Sequence, residues 1–244
     1  MTKIVAFIPA RSGSKRIQNK NIRRLNGHPL IAYSIITAIE SRIFDKVICA
    51  TDDQEYAEIA RYYGAEVPIL RPKEISDDKS SDFEWVNWLL SYLLNQGLSY
   101  EYFSILRPTS PFRTSKTIIR AWEKFKLSGA DSIRAVEICK QHPGKMWVLN
   151  EDRIYPLLPF KINEQPWHST QFAALPQIFV QNASLEIASV EAVLKYKNIS
   201  GYSVAPFITQ GEEGFDINDE FDWWKAEKLL ESNDVQLPFI NKNI

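Results

Sequence analysis

The chain has 244 residues, 45% of them hydrophobic and 24% charged, with a formal net charge of -1. That length accommodates one α/β domain with a large core, and the composition is that of an ordinary soluble globular protein. The balanced charge, without a repeated basic and aromatic stripe, argues against nucleic acid as partner, and no run of about 18 apolar residues is present to cross a membrane.

In chain order, "KIVAFIP" predicts a buried strand ending at Pro9. A polar basic loop follows, and then an apolar helix from about Pro29 to Arg42, with proline suited to its first turn. "KVICAT" is a second strand, and "DQEYAEIARYYG" an amphipathic helix closed by Gly64. "EVPIL" is read as a third strand, and "SSDFEWVNWLLSYLLNQG" as a helix capped near Ser80 or Ser81. "YFSIL" is a fourth strand, "RPTSPFR" a turn, "TSKTIIRAWEKFKLSG" a capped helix and "DSIRAV" a fifth strand. Five β-then-α units predict a doubly wound, mostly parallel sheet, in which ligands sit beyond the carboxyl ends of the strands.

From about Glu137 to Gln177 the pattern breaks, punctuated by Pro143, Pro156, Pro159, Pro166 and Pro176. A stretch of that length without regular structure points to binding or assembly. "IFVQNASLEIA", "SVEAVLKYK", "GYSVAPFI" and "NDEFDWWKAEKLLES" then read as strand, short helix, strand and helix. The whole is taken as one domain, residues 1–244, with about 137–177 inserted. Cys49 and Cys139 lie in apolar runs and are expected as buried free thiols, in keeping with the cytoplasm. "IVAFIPA" is broken too soon by Pro9 to be a secretory leader.

Charge is distributed unevenly. No acid precedes Glu40, yet "PARSGSKRIQNKN" carries Arg11, Lys15, Arg16 and Lys20, and "GEEGFDINDEFD" holds six acids and no base. A basic loop after the first strand, with Ser12, Gly13 and Ser14 allowing close backbone approach, fits a polyphosphate, the alternative being a solvated or RNA-facing patch. Neither GxxxxGK[ST] nor GxGxxG is present, so a Walker loop and a Rossmann dinucleotide site are unsupported.

"IPARSGSKRIQNKNI", "LRP" at Leu70–Pro72, "RPTSPFRT" at Arg107–Thr114 and "FDINDEFD" at Phe215–Asp222 together resemble the CMP-sialic acid synthetase family of cytidylyltransferases. Its first motif, R-x-x-S-K-x-x-x-x-K-N, is matched by Arg11, Ser14, Lys15, Lys20 and Asn21. The resemblance implies a Rossmann-like nucleotidyltransferase fold with an inserted dimerisation segment. It also implies transfer of CMP from CTP to an acidic nine-carbon or related 3-deoxy-ulosonic sugar in a homodimer. Arg11, Lys15 and Lys20 would hold the triphosphate, and Asn21, Arg71 and Ser81 would contact the nucleoside. Arg71 could instead cap a strand end, Ser81 could be only a helix cap, and the base-contacting serine could align with Asp82. Asp216 and Asn218 would hold Mg2+, Asn218 standing where the family usually has Asp. The sugar-facing glutamine is Arg107 here, a tyrosine is replaced by Glu186, and an expected arginine is Phe172. Arg107 is expected to take the sugar carboxylate or else to pin the turn at Pro108, and Glu186 to accept from a hydroxyl, amine or acylamino group. Gln181, Asn182 and His168 are further sugar-site candidates. These departures suggest legionaminate or another bacterial nonulosonate. The alternatives are a KDO-like or sugar-1-phosphate substrate, or a non-enzymatic nucleotide-binding homologue.

Overall fold

The computed structural model describes residues 2–241. They fall into two compact units: residues up to Ala135 together with those from Asn182 onward, and Val136–Gln181.

The larger unit is built on a six-stranded sheet. Its strands are β1 (Ile4–Pro9), β2 (Lys46–Ala50), β3 (Tyr102–Ile105), β4 (Ser132–Ile138), β5 (Phe179–Ser189) and β6 (Val204–Ile208), in spatial order β6-β4-β5-β3-β1-β2. β1 is apolar on both faces because both are covered. Ile4, Ala6 and Ile8 enter one core, while Val5 and Phe7 enter another. The first core receives α1 (Leu30–Ser41), α2 (Gln54–Tyr63), α4 (Ser115–Ser128) and α6 (Glu220–Glu231). The second receives α3 (Asp82–Asn95), with Trp85 edge-on to Phe7 at 6.0 Å, and α5 (Val190–Leu194). A chain such as Phe7, with 0% exposure, contributes about 1.5–3 kcal/mol by burial.

β1 runs parallel to β2 and β3, with Phe7 opposite both Ile48 and Ile105. The loops after these three strands therefore emerge side by side. β5 runs antiparallel to β3 and sets Glu186 opposite Ile105, two residues before Arg107. Helix starts follow side-chain caps. Asp53 accepts from Tyr56 N at 3.1 Å, and Ser81–Glu84 and Thr114–Thr117 form capping boxes.

Four expectations change. "EVPIL" forms no strand: Glu66 bridges Ile48, but Pro68 has no N–H to continue a ladder. Pro29 caps α1 from outside rather than sitting in its first turn. Asn26 (φ 46°) and Gly27 (φ 90°) turn an unforeseen hairpin between Arg24–Leu25 and His28–Pro29, although Asn-Gly is a strong hairpin signal. The segment read as irregular has regular pieces of its own. Trp147–Asn150 pairs with Arg153–Pro156, and Lys161–Ile162 with Gln165–Pro166 across Asn163 (φ 47°) and Glu164 (φ 66°). Within this unit Trp167 packs edge-on to His142 at 5.4 Å and to Phe160 at 4.9 Å, while Val148, Leu149, Ile154, Tyr155 and Leu157 stay exposed. Cys49 is buried as expected, and burial pushes its thiol up to about 12; Cys139 is half-buried. No helix among the described residues is long and apolar enough to cross a membrane.

Candidate active site

The basic loop is fixed at several points before it presents any charge. Ser12 donates from its backbone N (2.7 Å) and its hydroxyl (2.9 Å) to the two oxygens of Asp52, just beyond β2. Ile17, 1% exposed, anchors the middle of the loop in the core. Asn21 is buried and donates its amide to the Arg11 carbonyl at 3.1 Å, so its first task is to shape the loop. Gly13 has φ 72° with open space around a Cβ, so conformation rather than crowding calls for glycine there.

The loop forms one wall of a cavity of about 300 Å³ with Arg11, Ser14, Lys20 and Asn21. Arg71, Asp77, Asp78 and Ser80 come from the stretch leading into α3, Asp82 and Trp85 from its first turn, and Arg107, Pro108 and Thr109 from the turn after β3. Arg11 and Lys15 converge on Asp78, with Lys15 Nζ at 2.5 Å from Oδ2, and the lysine remains largely exposed. Bonds first from Lys15 and then from Arg11 hold the Asp78 carboxyl down at about 2. A carboxylate bonded by two cations shows that this pair can clasp an anion.

Lys20 crosses the site: its Nζ donates to the Ile217 carbonyl at 2.8 Å, while Ile217 N donates to Thr109 O at 2.9 Å. The acidic segment is thereby tied to two walls of the cavity. Burial lowers the Lys20 pKa, with Asp216 opposing. Asp216 accepts from Asn218 Nδ2 at 2.8 Å through Oδ2, whereas its Oδ1 is buried without a partner. An unpartnered buried carboxylate oxygen suits a cation, and the Asn218 amide oxygen is a second hard donor beside it. Among the described residues no group of three or more His, Cys, Asp and Glu is arranged for a metal, so any cation here would draw its remaining ligands from phosphate and water.

Arg71 is buried with its guanidinium 5.5 Å over the Trp85 ring, and its Nε donates to Ile75 O at 2.6 Å. Burial pushes it down to about 10, with Asp52 and Asp82 opposing. This is a fixed cavity arginine, not a surface cap on a strand. Ser81 caps α3 through Glu84 and is absent from the cavity wall, where Ser80 and Asp82 flank it.

Arg107 lines the cavity and joins a chain of charges. Its Nη2 donates to Asp82 Oδ2 at 2.5 Å and to Glu186 Oε1 at 2.8 Å, and Glu186 Oε2 accepts from Arg134 Nη1 at 2.5 Å. Burial alone would lower the Arg107 pKa; Asp82 and Glu186 outweigh it and raise it. Glu186 is 4% exposed with both oxygens engaged, so the expected direct contact with a sugar hydroxyl or amine gives way to a role in positioning Arg107. Asn182 is likewise turned to the fold: its Nδ2 donates to Thr209 Oγ1 at 2.9 Å and its Oδ1 accepts from Ser184 N at 3.2 Å.

A family model described as cytidylyltransferase matches residues 5–145, which carry the loop, Arg71, Asp82, Arg107 and Arg134. The chain belongs to the cytidylyltransferase family. It is 32% identical over 244 residues to the CMP-N,N'-diacetyllegionaminic acid synthase of Legionella pneumophila, covering 96% of this chain and 99% of that one. It is 34% identical over 244 residues to the N-acylneuraminate cytidylyltransferase of Escherichia coli, covering all of this chain but 56% of that protein. Over 123 residues it is 42% identical to the pseudaminic acid cytidylyltransferase of Campylobacter jejuni, 50% of this chain and 53% of the other. The chain thus spans about half the length of two of these relatives. Among solved structures, CMP:2-keto-3-deoxy-manno-octonic acid synthetase complexed with CTP aligns with a TM-score of 0.70 at 14% identity, covering 95% of this chain and 100% of that one. A 4-diphosphocytidyl-2C-methyl-D-erythritol synthase from Anaerococcus prevotii aligns at 0.63 and 10% identity, covering 94% and 96%. At those identities the likeness concerns the fold, which is that of a nucleotidyltransferase.

In this cytidylyltransferase family member, sequence reading missed two arginines. Arg134 is the one charged residue inside "SIRAV", and a cation in a buried strand signals a buried anion. Arg113 closes "RPTSPFR" and is 1% exposed, donating to Ser34 Oγ at 2.6 Å, to the Arg107 carbonyl at 3.3 Å and to the Ser184 carbonyl. Burial pushes it down to about 9. It clamps the turn that carries Arg107. Gln181, His168 and Phe172 belong to the Val136–Gln181 unit. There Gln181 is exposed, His168 lies 4.8 Å from Trp147 and Phe172 lies 6.0 Å from His142.

Proposed function

We propose that the protein transfers CMP from CTP to the anomeric hydroxyl of an acidic 3-deoxy-ulosonic sugar of the nonulosonate type, releasing pyrophosphate. The observation that carries this reading is one cavity lined by Arg11 and Lys20 at one side, Arg71 at another and Arg107 at a third. That arrangement offers separate sites for a triphosphate, a nucleoside and a carboxylate. Relatives named for N-acylneuraminate, N,N'-diacetyllegionaminic acid and pseudaminic acid support an acidic sugar.

In the reaction the sugar hydroxyl oxygen forms a bond to the α-phosphorus as its proton passes to water, the bond to the bridging oxygen breaks, and pyrophosphate leaves in line. Such transfers are accelerated by positioning and charge stabilisation. Arg11, Lys15 and Lys20 bind the β- and γ-phosphates and stabilise the charge that builds on the leaving group, Arg11 and Lys20 each contributing about 1.5–3 kcal/mol and the exposed Lys15 less. The Ser14 hydroxyl assists at the phosphates, while Asn21 holds the loop and Arg71 faces the nucleoside. Mg2+, held by Asp216 and Asn218, would neutralise phosphate charge. Arg107 orients the sugar by its carboxylate, with Glu186 behind it and Arg113 holding the turn. A CTP-dependent enzyme with free thiols fits the cytoplasm. The exposed apolar hairpin Trp147–Pro156 gives the Val136–Gln181 unit a surface suited to a homodimer, in keeping with an assembly role for this segment.

The test is pyrophosphate release from CTP, UTP, GTP and ATP against a panel of ulosonic acids and sugar 1-phosphates. Release with CTP and a nonulosonic acid, abolished by EDTA and restored by Mg2+, is expected. Release only with a sugar 1-phosphate, or with none of the pairs, would overturn the reading.

A further inference from the structure

Four charged side chains form an unbroken chain in the larger unit: Asp82, Arg107, Glu186 and Arg134. They differ sharply in freedom. Glu186 and Arg134 have side chains 5% and 10% exposed, and Arg134 is further fixed by donating to the Ile199 carbonyl at 3.1 Å and to Ser200 Oγ at 2.7 Å. Asp82 is 30% exposed and stands on the cavity wall with Arg107. Its other bond, from Trp85 Nε1 at 2.9 Å, is to a neutral donor.

The charges decide what this arrangement can do. Arg107, Glu186 and Arg134 hold two positive charges and one negative, so the trio carries a surplus of one positive charge in a poorly solvated place. Such a surplus demands an anion. Asp82 supplies it. Were Arg134 neutral, Glu186 would already balance Arg107, and an entering carboxylate would meet a site with no charge to offer. Arg134 reaches the cavity only through Glu186, so it acts by setting the charge that Arg107 can present.

We propose that Asp82 is a displaceable internal anion and that Glu186 with Arg134 is the fixed backing that lets Arg107 exchange it for the carboxylate of an acidic sugar. Arg134 and Asp82 are then the residues that set selectivity for acidic over neutral sugars. Arg134 is a positioning residue, and Asp82 is a competitor for the substrate's place. The inference rests on the carboxylate role of Arg107 proposed above. Exchange keeps the local charge constant, because one carboxylate leaves the guanidinium as another arrives, and this avoids leaving a buried ion unpaired. Asp82 gains solvent as it swings away, which its partial exposure permits.

The test compares the sugar acid accepted by the wild-type enzyme with its carboxamide, measuring KM and kcat/KM for both. Asp82→Asn keeps the acceptor for Trp85 but removes the competing charge, and the acid's KM falls about tenfold. Arg134→Met removes the surplus, and the preference for acid over amide falls about tenfold or more. Arg134→Met combined with Glu186→Met removes a charge-balanced pair and restores the preference, which a purely structural role of Arg134 would not do. Should Arg134→Met fail to fold, Asp82→Asn alone still decides the matter through the acid's KM. If the wild type accepts no acidic sugar, the functional reading fails. If it accepts one while Asp82→Asn leaves its KM unchanged, or the double variant has no more acid preference than Arg134→Met, the exchange is wrong and the functional reading stands.

Discussion

Lys20→Ala is expected to lower kcat/KM for CTP by about 100–1000-fold, the loss seen when one preorganised donor to a developing negative charge is removed. Lys20 combines three properties. It lines the cavity, it bonds the acidic segment through the Ile217 carbonyl at 2.8 Å, and it lies close enough to Asp216 to feel its charge. Lys15, which is 80% exposed, keeps most of its solvation, and its loss should cost less. The same residue gives a pH signature. Burial lowers the Lys20 pKa from 10.5, with Asp216 partly restoring it. The charge needed to bind the leaving group is therefore lost earlier on the alkaline side, so kcat/KM falls at a pH below 10.5. Between the lowered native value and 10.5 the unfolded chain holds more protons, so this group's contribution to stability rises with pH as activity declines. A pH profile of kcat/KM for wild type and Lys20→Arg checks it: arginine keeps its charge, and the alkaline limb moves up or disappears.

Asp216→Ala is expected to raise the Mg2+ concentration for half-maximal rate at least about tenfold and to lower kcat at saturating Mg2+. The Oδ1 of Asp216 is buried without a partner, and alanine removes that carboxylate from beside the neutral Asn218 amide. The reciprocal change, Asn218→Asp, places two carboxylates side by side where the amide now donates at 2.8 Å. Their repulsion is relieved by a dication, so half-saturation should fall several-fold, at some cost in stability without metal. Titrating initial rate against Mg2+ for the three proteins reads both effects. Equal Mg2+ dependence in all three would remove Asp216 and Asn218 from the metal site.

The features legible in the sequence were those encoded locally. β1 is apolar over every residue from Ile4 to Ile8, and α2, α3 and α4 begin at Asp53, Ser81 and Thr114, caps that a short window reveals. The basic loop was equally plain, because Arg11, Ser14, Lys20 and Asn21 sit within eleven residues of one another and reach one cavity together. Glu186 was misjudged because its environment is set by strand pairing. β5 places it beside β3, and Arg134 reaches its other oxygen from β4, which no local pattern discloses. "EVPIL" failed for the opposite reason: its apolar residues suggested a strand, while Pro68 and the exposure of Ile69 and Leu70 denied it a partner. The hairpin at Trp147–Pro156 escaped because its exposed apolar residues do not alternate with polar ones.

The central claim is that one cavity joins the α-phosphate of CTP to the hydroxyl of an acidic sugar. Product analysis after incubation with CTP, Mg2+ and a nonulosonic acid tests it most directly. The account predicts a CMP-sugar phosphodiester formed in equal amount with pyrophosphate. A CDP-sugar formed from a sugar 1-phosphate, with no product from the acid, would contradict it.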